Sequence, residues 1–140
     1  MNSALTLNHP LIWGKVVEKY PNLILNLAHF GGGTQLGMAL DNPADETLWS
    51  NRIIALLKDP RYKVYTDISC FSDFNVIDKF VNSAMFQEIK PKVLYGSDFI
   101  LLLLFENSFQ KNVEQFKAKF GKDFDIIASI NPKEFLKNVI

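Results

Sequence analysis

Three apolar runs in this chain end in polar side chains whose types could do chemistry together. His29 follows LILNLA at 23–28 and precedes three glycines, Asp67 and Ser69 close VYTDIS at 64–69, and Asp98 closes KVLYGSD at 92–98. An imidazole and a carboxylate that converge on one face can bind a divalent cation, or hold a water between a Lewis acid and a base. Side-chain alternation puts Tyr65, Asp67 and Ser69 on one side of their strand; it also carries Leu25 and Leu27 along with His29, and Leu94 and Gly96 along with Asp98. Each residue also has a plainer use. A histidine can be a hydrogen-bonded structural residue, an aspartate a cap, and a buried Asp or Ser a polar group satisfied by neighbouring backbone.

The elements that would position these residues are readable from periodicity. An apolar run of six bounded by turn residues suits a strand buried on both faces, as in a parallel sheet. In parallel α/β folds the loops leaving the C-terminal strand ends converge on a crevice or barrel mouth, which is where His29, Ser69 and Asp98 would sit. Leu11, Ile12, Val16 and Val17 recur at helical spacing, so a helix is expected over 10–19, with Pro10 in its first turn and His9 as a loop or capping residue. Residues 37–45, containing DNPAD, read as a turn-rich stretch. A second helix is expected from 45 or 46 to Asp59-Pro60, then a strand over 64–69, a helix through Val76, Ile77, Phe80 and Val81, and a third strand over 92–98.

The apolar run at 99–105 fits strand, loop or helix equally. Phe109, Val113, Phe116 and Phe120 mark a helix over 108–120 that Gly121 ends; a short buried helical turn follows at 124–129; and Asn131-Pro132 reads as a cap and first-turn proline of a last helix. Residues 5–7 are too few for more than a strand remnant. Gly31 to Gly33 match neither GxGxxG nor a P-loop with lysine, so tight turning beneath a site accounts for them better than nucleotide binding. Cys70, Trp13, Trp49 and most of the twelve phenylalanines are expected in the core. The whole reads as one domain over 1–140, with three to four parallel strands alternating with helices.

Composition narrows the partners. Fifteen basic and fifteen acidic side chains give a formal net charge of zero, so no overall field favours nucleic acid or an anionic membrane, and a small-molecule substrate or a protein is the expected partner. One cysteine excludes an internal disulfide and a cysteine metal cluster, in keeping with a reducing cytoplasm. The start MNSALTLNHP lacks the basic and apolar regions of a signal peptide, and the longest apolar run is far shorter than the ~20 residues that span a bilayer. A soluble cytoplasmic protein is expected.

In order, HPLIWGKVVEKYPNLILNLAHFGGG, KVYTDIS, KVLYGSDF and SINPKEFL resemble the C-terminal half of the amidohydrolase-related branch of the amidohydrolase superfamily. That resemblance covers nearly the whole chain and is weak at 37–60 and 99–123. It implies half of a TIM barrel from a metal-dependent hydrolase or decarboxylase, acting on an ester, lactone or amide carbon. Position by position, His29 matches the histidine ending the family's sixth strand, a metal ligand or substrate contact. Asp98 matches the eighth-strand aspartate, a ligand and proton acceptor, and Tyr65, Asp67 and Ser69 match the seventh strand and would line the site. The implied cofactor is a divalent metal, zinc being expected.

The departures are equally specific. The family's first-strand His-x-His pair is absent, the chain has only His9 and His29, and a fifth-strand ligand is missing unless His9 supplies it. A barrel takes roughly 250 residues, so the chain is expected to be one half, to bind metal poorly by itself and to be inactive alone. Its open edges would call for an N-terminal half or a second copy. The alternative is a non-catalytic α/β interaction module that dimerises or complements a separately encoded half.

Overall fold

A computed structural model describes residues 8–98, 100, 104 and 108–137. Among them, three parallel strands lie in sequence order, β1 (Ile24–Leu27), β2 (Lys63–Asp67) and β3 (Val93–Leu94), with Leu25 beside Val64, Leu27 beside Thr66, and Asp67 beside Leu94. The chain is therefore α/β, built on a small open parallel sheet with helices between its strands. No helix of the described residues is long and apolar enough to cross a membrane. The N-terminal strand remnant lies outside the described residues, as does most of the run at 99–105, of which only Ile100 and Leu104 are described, both exposed.

Helix α1 (Pro10–Lys19) runs over the expected residues, its first turn closed by His9, whose Nδ1 accepts from the Leu11 amide at 3.2 Å. The stretch after the glycines differs from expectation. Residues 42–45 form the expected turn, but 37–41 belong to α2 (Gly33–Asp41), because burial of Leu36 and Ala39 outweighs the ~1 kcal/mol that an interior glycine costs a helix. Helix α3 (Trp49–Lys58) starts later than expected, since Asp45 Oδ1 accepts from the Thr47 amide and holds the preceding residues in a turn. Its buried face is Ile53, Ile54 and Leu57.

Beyond β2, α4 (Phe74–Val81) and α5 (Ala84–Ile89) are capped by Asp73 and Ser83, which accept from Asn75 and Phe86 amides. The second of these short helices was not separable by periodicity. The third strand is shorter than expected, two residues instead of seven, because Tyr95 leaves the ladder to donate its amide to Ile127 at 2.8 Å. Helix α6 (Phe109–Phe120) is capped by Ser108 and ended by Gly121 at φ 52°. A wide π turn (Ile126–Ile130) then passes straight into α7 (Asn131–Lys137). Asn131 is accordingly no N-cap: its backbone is already helical, and its side-chain amide instead donates to Lys90 O at 2.8 Å and Val93 O at 2.7 Å.

The sheet has two unlike faces. Leu27, Val64, Ile68 and Val93 point into the main core with Phe30, Leu36, Ile53, Phe80 and Phe86 from the helices. Edge-to-face aromatic pairs run Phe30–Phe80–Phe86–Phe120, with centroids 5.1 to 5.5 Å apart, and Phe116 joins Phe120 to Tyr95. Each such pair adds about 0.5–1.5 kcal/mol beyond area burial. The opposite face carries Tyr65, packed edge-to-face on Phe135 of α7, and then, towards the C-terminal strand ends, polar side chains.

Candidate functional site

His29, Asp67, Ser69 and Asp98 meet at the C-terminal edge of the sheet, one after β1, two at the end of β2 and one after β3. A left-handed turn follows each strand, and His29 and Asp98 themselves adopt it. His29 (φ 59°) and Phe30 (φ 51°) follow β1, Cys70 (φ 60°) follows β2, and Asp98 (φ 46°) follows β3; these are all the non-glycine residues with positive φ among those described. Such backbone costs about 1–3 kcal/mol per residue and persists only where its surroundings over-determine it. Here the surroundings are visible. Phe30 is fully buried, its carbonyl accepts from the buried Ser50 hydroxyl at 2.7 Å, and Gly31 (φ 78°) lies where a Cβ would sit 3.1 Å from Trp49 Cβ.

This turn revises the alternation argument. The strand stops at Leu27, so His29 is re-aimed by its own φ, while Leu27 faces the apolar core and Leu25 packs against it. The β1 residue on the site face is Asn26, the single polar residue in the run LILNLA. Its Nδ2 donates to Asp67 Oδ2 at 2.7 Å, and its Oδ1 is enclosed with no hydrogen-bond partner among the described residues. Asn26 interrupts an apolar run, but alternation counted from His29 places it on the other face and so does not point to it.

Asp67 is the hub. Besides Asn26, it accepts at Oδ1 from the His29 amide at 3.0 Å, from the Ser69 amide at 3.1 Å and from the Ser69 hydroxyl in a short contact. Burial alone would raise its pKa, but the donations from Ser69, Asn26 and the His29 backbone outweigh it and hold the carboxyl below its ordinary value. Ser69 Oγ lies 2.8 Å from His29 Nδ1, and Asp98 Oδ2 lies 3.5 Å from the same nitrogen. Gly96 permits this closeness, since a Cβ there would sit 2.9 Å from Ser69 Cβ.

Two other residues are placed differently from expectation. Cys70 is exposed, turned outward by its left-handed backbone, and its thiol donates to Asp98. Partial burial first, and then the Asp98 charge, push that thiol above its ordinary value, which suits a hydrogen-bond donor better than a nucleophile. Tyr65 shares the face of Asp67 but packs against Phe135, so the structure does not bring it to the His29–Ser69–Asp98 group.

A metal ion fits this set incompletely. Among the described residues no group of three or more His, Cys, Asp or Glu side chains converges to hold one. Asp67 is spent on its four donors, which leaves His29 and Asp98 short of the four ligands a zinc site takes. Beside His29, a cavity of about 570 Å³ runs along β1, lined by consecutive strand residues from Leu25 onward and by Trp13, Trp49 and Ile53. No protein-family model, curated protein or solved structure matches the chain.

Proposed function

We propose that the chain is the C-terminal part of a metal-dependent hydrolase of the amidohydrolase-related family, adding water to an ester, lactone or amide carbon or running a related decarboxylation, and inactive alone. One observation carries this reading: an imidazole and a carboxylate stand 3.5 Å apart at the C-terminal edge of a parallel sheet, each delivered by a strained left-handed turn. The sequence likeness in AHFGGG, YTDIS and YGSDF supplies the family. His29 would contact the substrate or ligate, and Asp98, partly exposed, would take the proton of the attacking water. A zinc ion in the complete enzyme would polarise the substrate and would need ligands from outside these residues.

The test is complementation. Joined behind a half barrel that carries a His-x-His strand, the chain should give zinc-dependent hydrolysis of ester and lactone substrates, with His29→Ala and Asp98→Ala each lowering the rate by about 100-fold or more. Robust turnover by the chain alone, or unchanged rates in either variant, overturns the proposal.

The β1 edge, unpaired among the described residues and beside an apolar cavity, favours a second reading, a non-catalytic module that covers this edge with a second copy or a separately encoded half. Light scattering on the purified chain separates the two-copy form from a monomer.

A further inference from the structure

We infer that Asp67 and Ser69 act as a positioning relay that fixes His29 as its Nδ1–H tautomer and leaves Nε2 as the ring nitrogen with a free lone pair. The inference deepens the site reading, resting on His29 as its working group, but it concerns hydrogen positions that can be observed without any substrate.

The Ser69 hydroxyl has one proton and two neighbours that could take it, His29 Nδ1 and Asp67 Oδ1. Asp67 is the stronger acceptor, because it is a carboxylate. With its proton given to Asp67, Ser69 Oγ faces His29 Nδ1 at 2.8 Å with lone pairs only, so the hydrogen between them must be on the ring. Everything else around Nδ1 agrees: Asp98 Oδ2 at 3.5 Å and Asp67 Oδ1 at 3.9 Å are both acceptors. A proton on Nδ1 satisfies this cluster, whereas a lone pair there would face three acceptors.

The relay is also held from behind. Asp67 Oδ1 accepts the His29 backbone amide, so the same carboxylate sets both the position of the turn and, through Ser69, the state of the ring. The Asn26 amide on Oδ2 keeps that carboxylate from rotating. The consequence is chemical. A neutral imidazole with Nδ1 engaged can use Nε2 to accept a proton from water or to donate its lone pair to an electrophile, and the half-exposed side chain leaves that nitrogen accessible.

The chain contains an internal contrast. His9 Nδ1 accepts from the Leu11 amide, which requires the proton to be on Nε2, so its only two histidines should be opposite tautomers. Long-range proton–nitrogen NMR correlations on uniformly 15N-labelled chain, at a pH where both rings are neutral, distinguish protonated from unprotonated ring nitrogens directly. The expected result is a protonated Nδ1 at His29 and a protonated Nε2 at His9. In Ser69→Ala the excess of the Nδ1–H form at His29 should fall roughly fivefold or more, the size of one hydrogen bond, while His9 stays unchanged.

Asp67→Asn, nearly isosteric and able to pair with a flipped Asn26 through its unpartnered Oδ1, should also lower that excess while keeping the fold. It serves where Ser69→Ala disturbs the loop. A protonated Nε2 at His29 in the unaltered chain, or a ratio untouched by both variants, overturns the relay. Neither result bears on hydrolase activity, and failed complementation would leave the tautomer result standing.

Discussion

The β3 edge of the sheet is sealed by the chain itself, whereas the β1 edge is left to a cavity. Leu94 accepts the Ile68 amide on the β2 side, so strand alternation turns Val93 and Tyr95 the other way. There the Asn131 side chain takes the Val93 carbonyl and Ile127 takes the Tyr95 amide. At β1 no strand of the described residues pairs on the outer side, and consecutive residues from Leu25 to His29 line one apolar cavity, as they can only if it follows the strand edge. A bare half barrel would have two equivalent open edges. Among the described residues this sheet has one, at β1, whereas a strand added at β3 must displace Asn131.

The largest effect should come from undoing the seal. Asn131→Ala strips two buried or part-buried carbonyls, Lys90 and Val93, of their donor and should cost about 2–4 kcal/mol in urea unfolding. Amide exchange at Tyr95 should speed up with it. A loss below about 0.5 kcal/mol would mean that the two edges are less different than described.

The next effect tests the junction of the strands at the site. Gly96→Ala forces a Cβ to within 2.9 Å of Ser69 Cβ, so Ser69 must move, at a cost of about 1–3 kcal/mol. The same variant should disturb the His29 tautomer, which a remote packing defect would not do. The smallest effect is acidic and concerns β1. Asp67 ties the open edge strand to β2 through Asn26 and the His29 amide, and its folded pKa lies below the ordinary 3.8. Its contribution is therefore present above that unfolded value and lost as pH falls through the folded one. Between about pH 5 and pH 2.5, the unaltered chain should lose more stability than Asp67→Asn does, measured by urea unfolding at each pH.

Much of the candidate site was legible because apolar runs of strand length stopped at polar residues of suitable type. His29, Asp67, Ser69 and Asp98 each terminate such a run, and three strand ends in parallel necessarily share an edge. Alternation and the family resemblance both group Tyr65 with them, but alternation fixes a face and not what covers it, and Phe135, seventy residues on, covers it. Asn26 and Cys70 were passed over for related reasons. Alternation counted from His29 puts Asn26 on the opposite face, and Cys70, small and apolar, reads as core although a left-handed φ turns it outward.

The sequence by itself determined the three strands and the helices with clear periodicity and caps, because these signals are local: Pro10 after His9, Ser108 before α6 and Gly121 after it all act within one turn. It also determined which residues could do chemistry. Only the tertiary structure decided how they do it. Helix α2 extends over 37–41, where the sequence argued for turns, since burial is a long-range gain that propensity does not see. His29 was aimed by its own backbone twist and by Ser69, forty residues away, rather than by strand alternation. Asn131, which reads locally as a cap, became the seal of a strand edge because a side-chain amide donates to whichever buried carbonyls the fold brings to it.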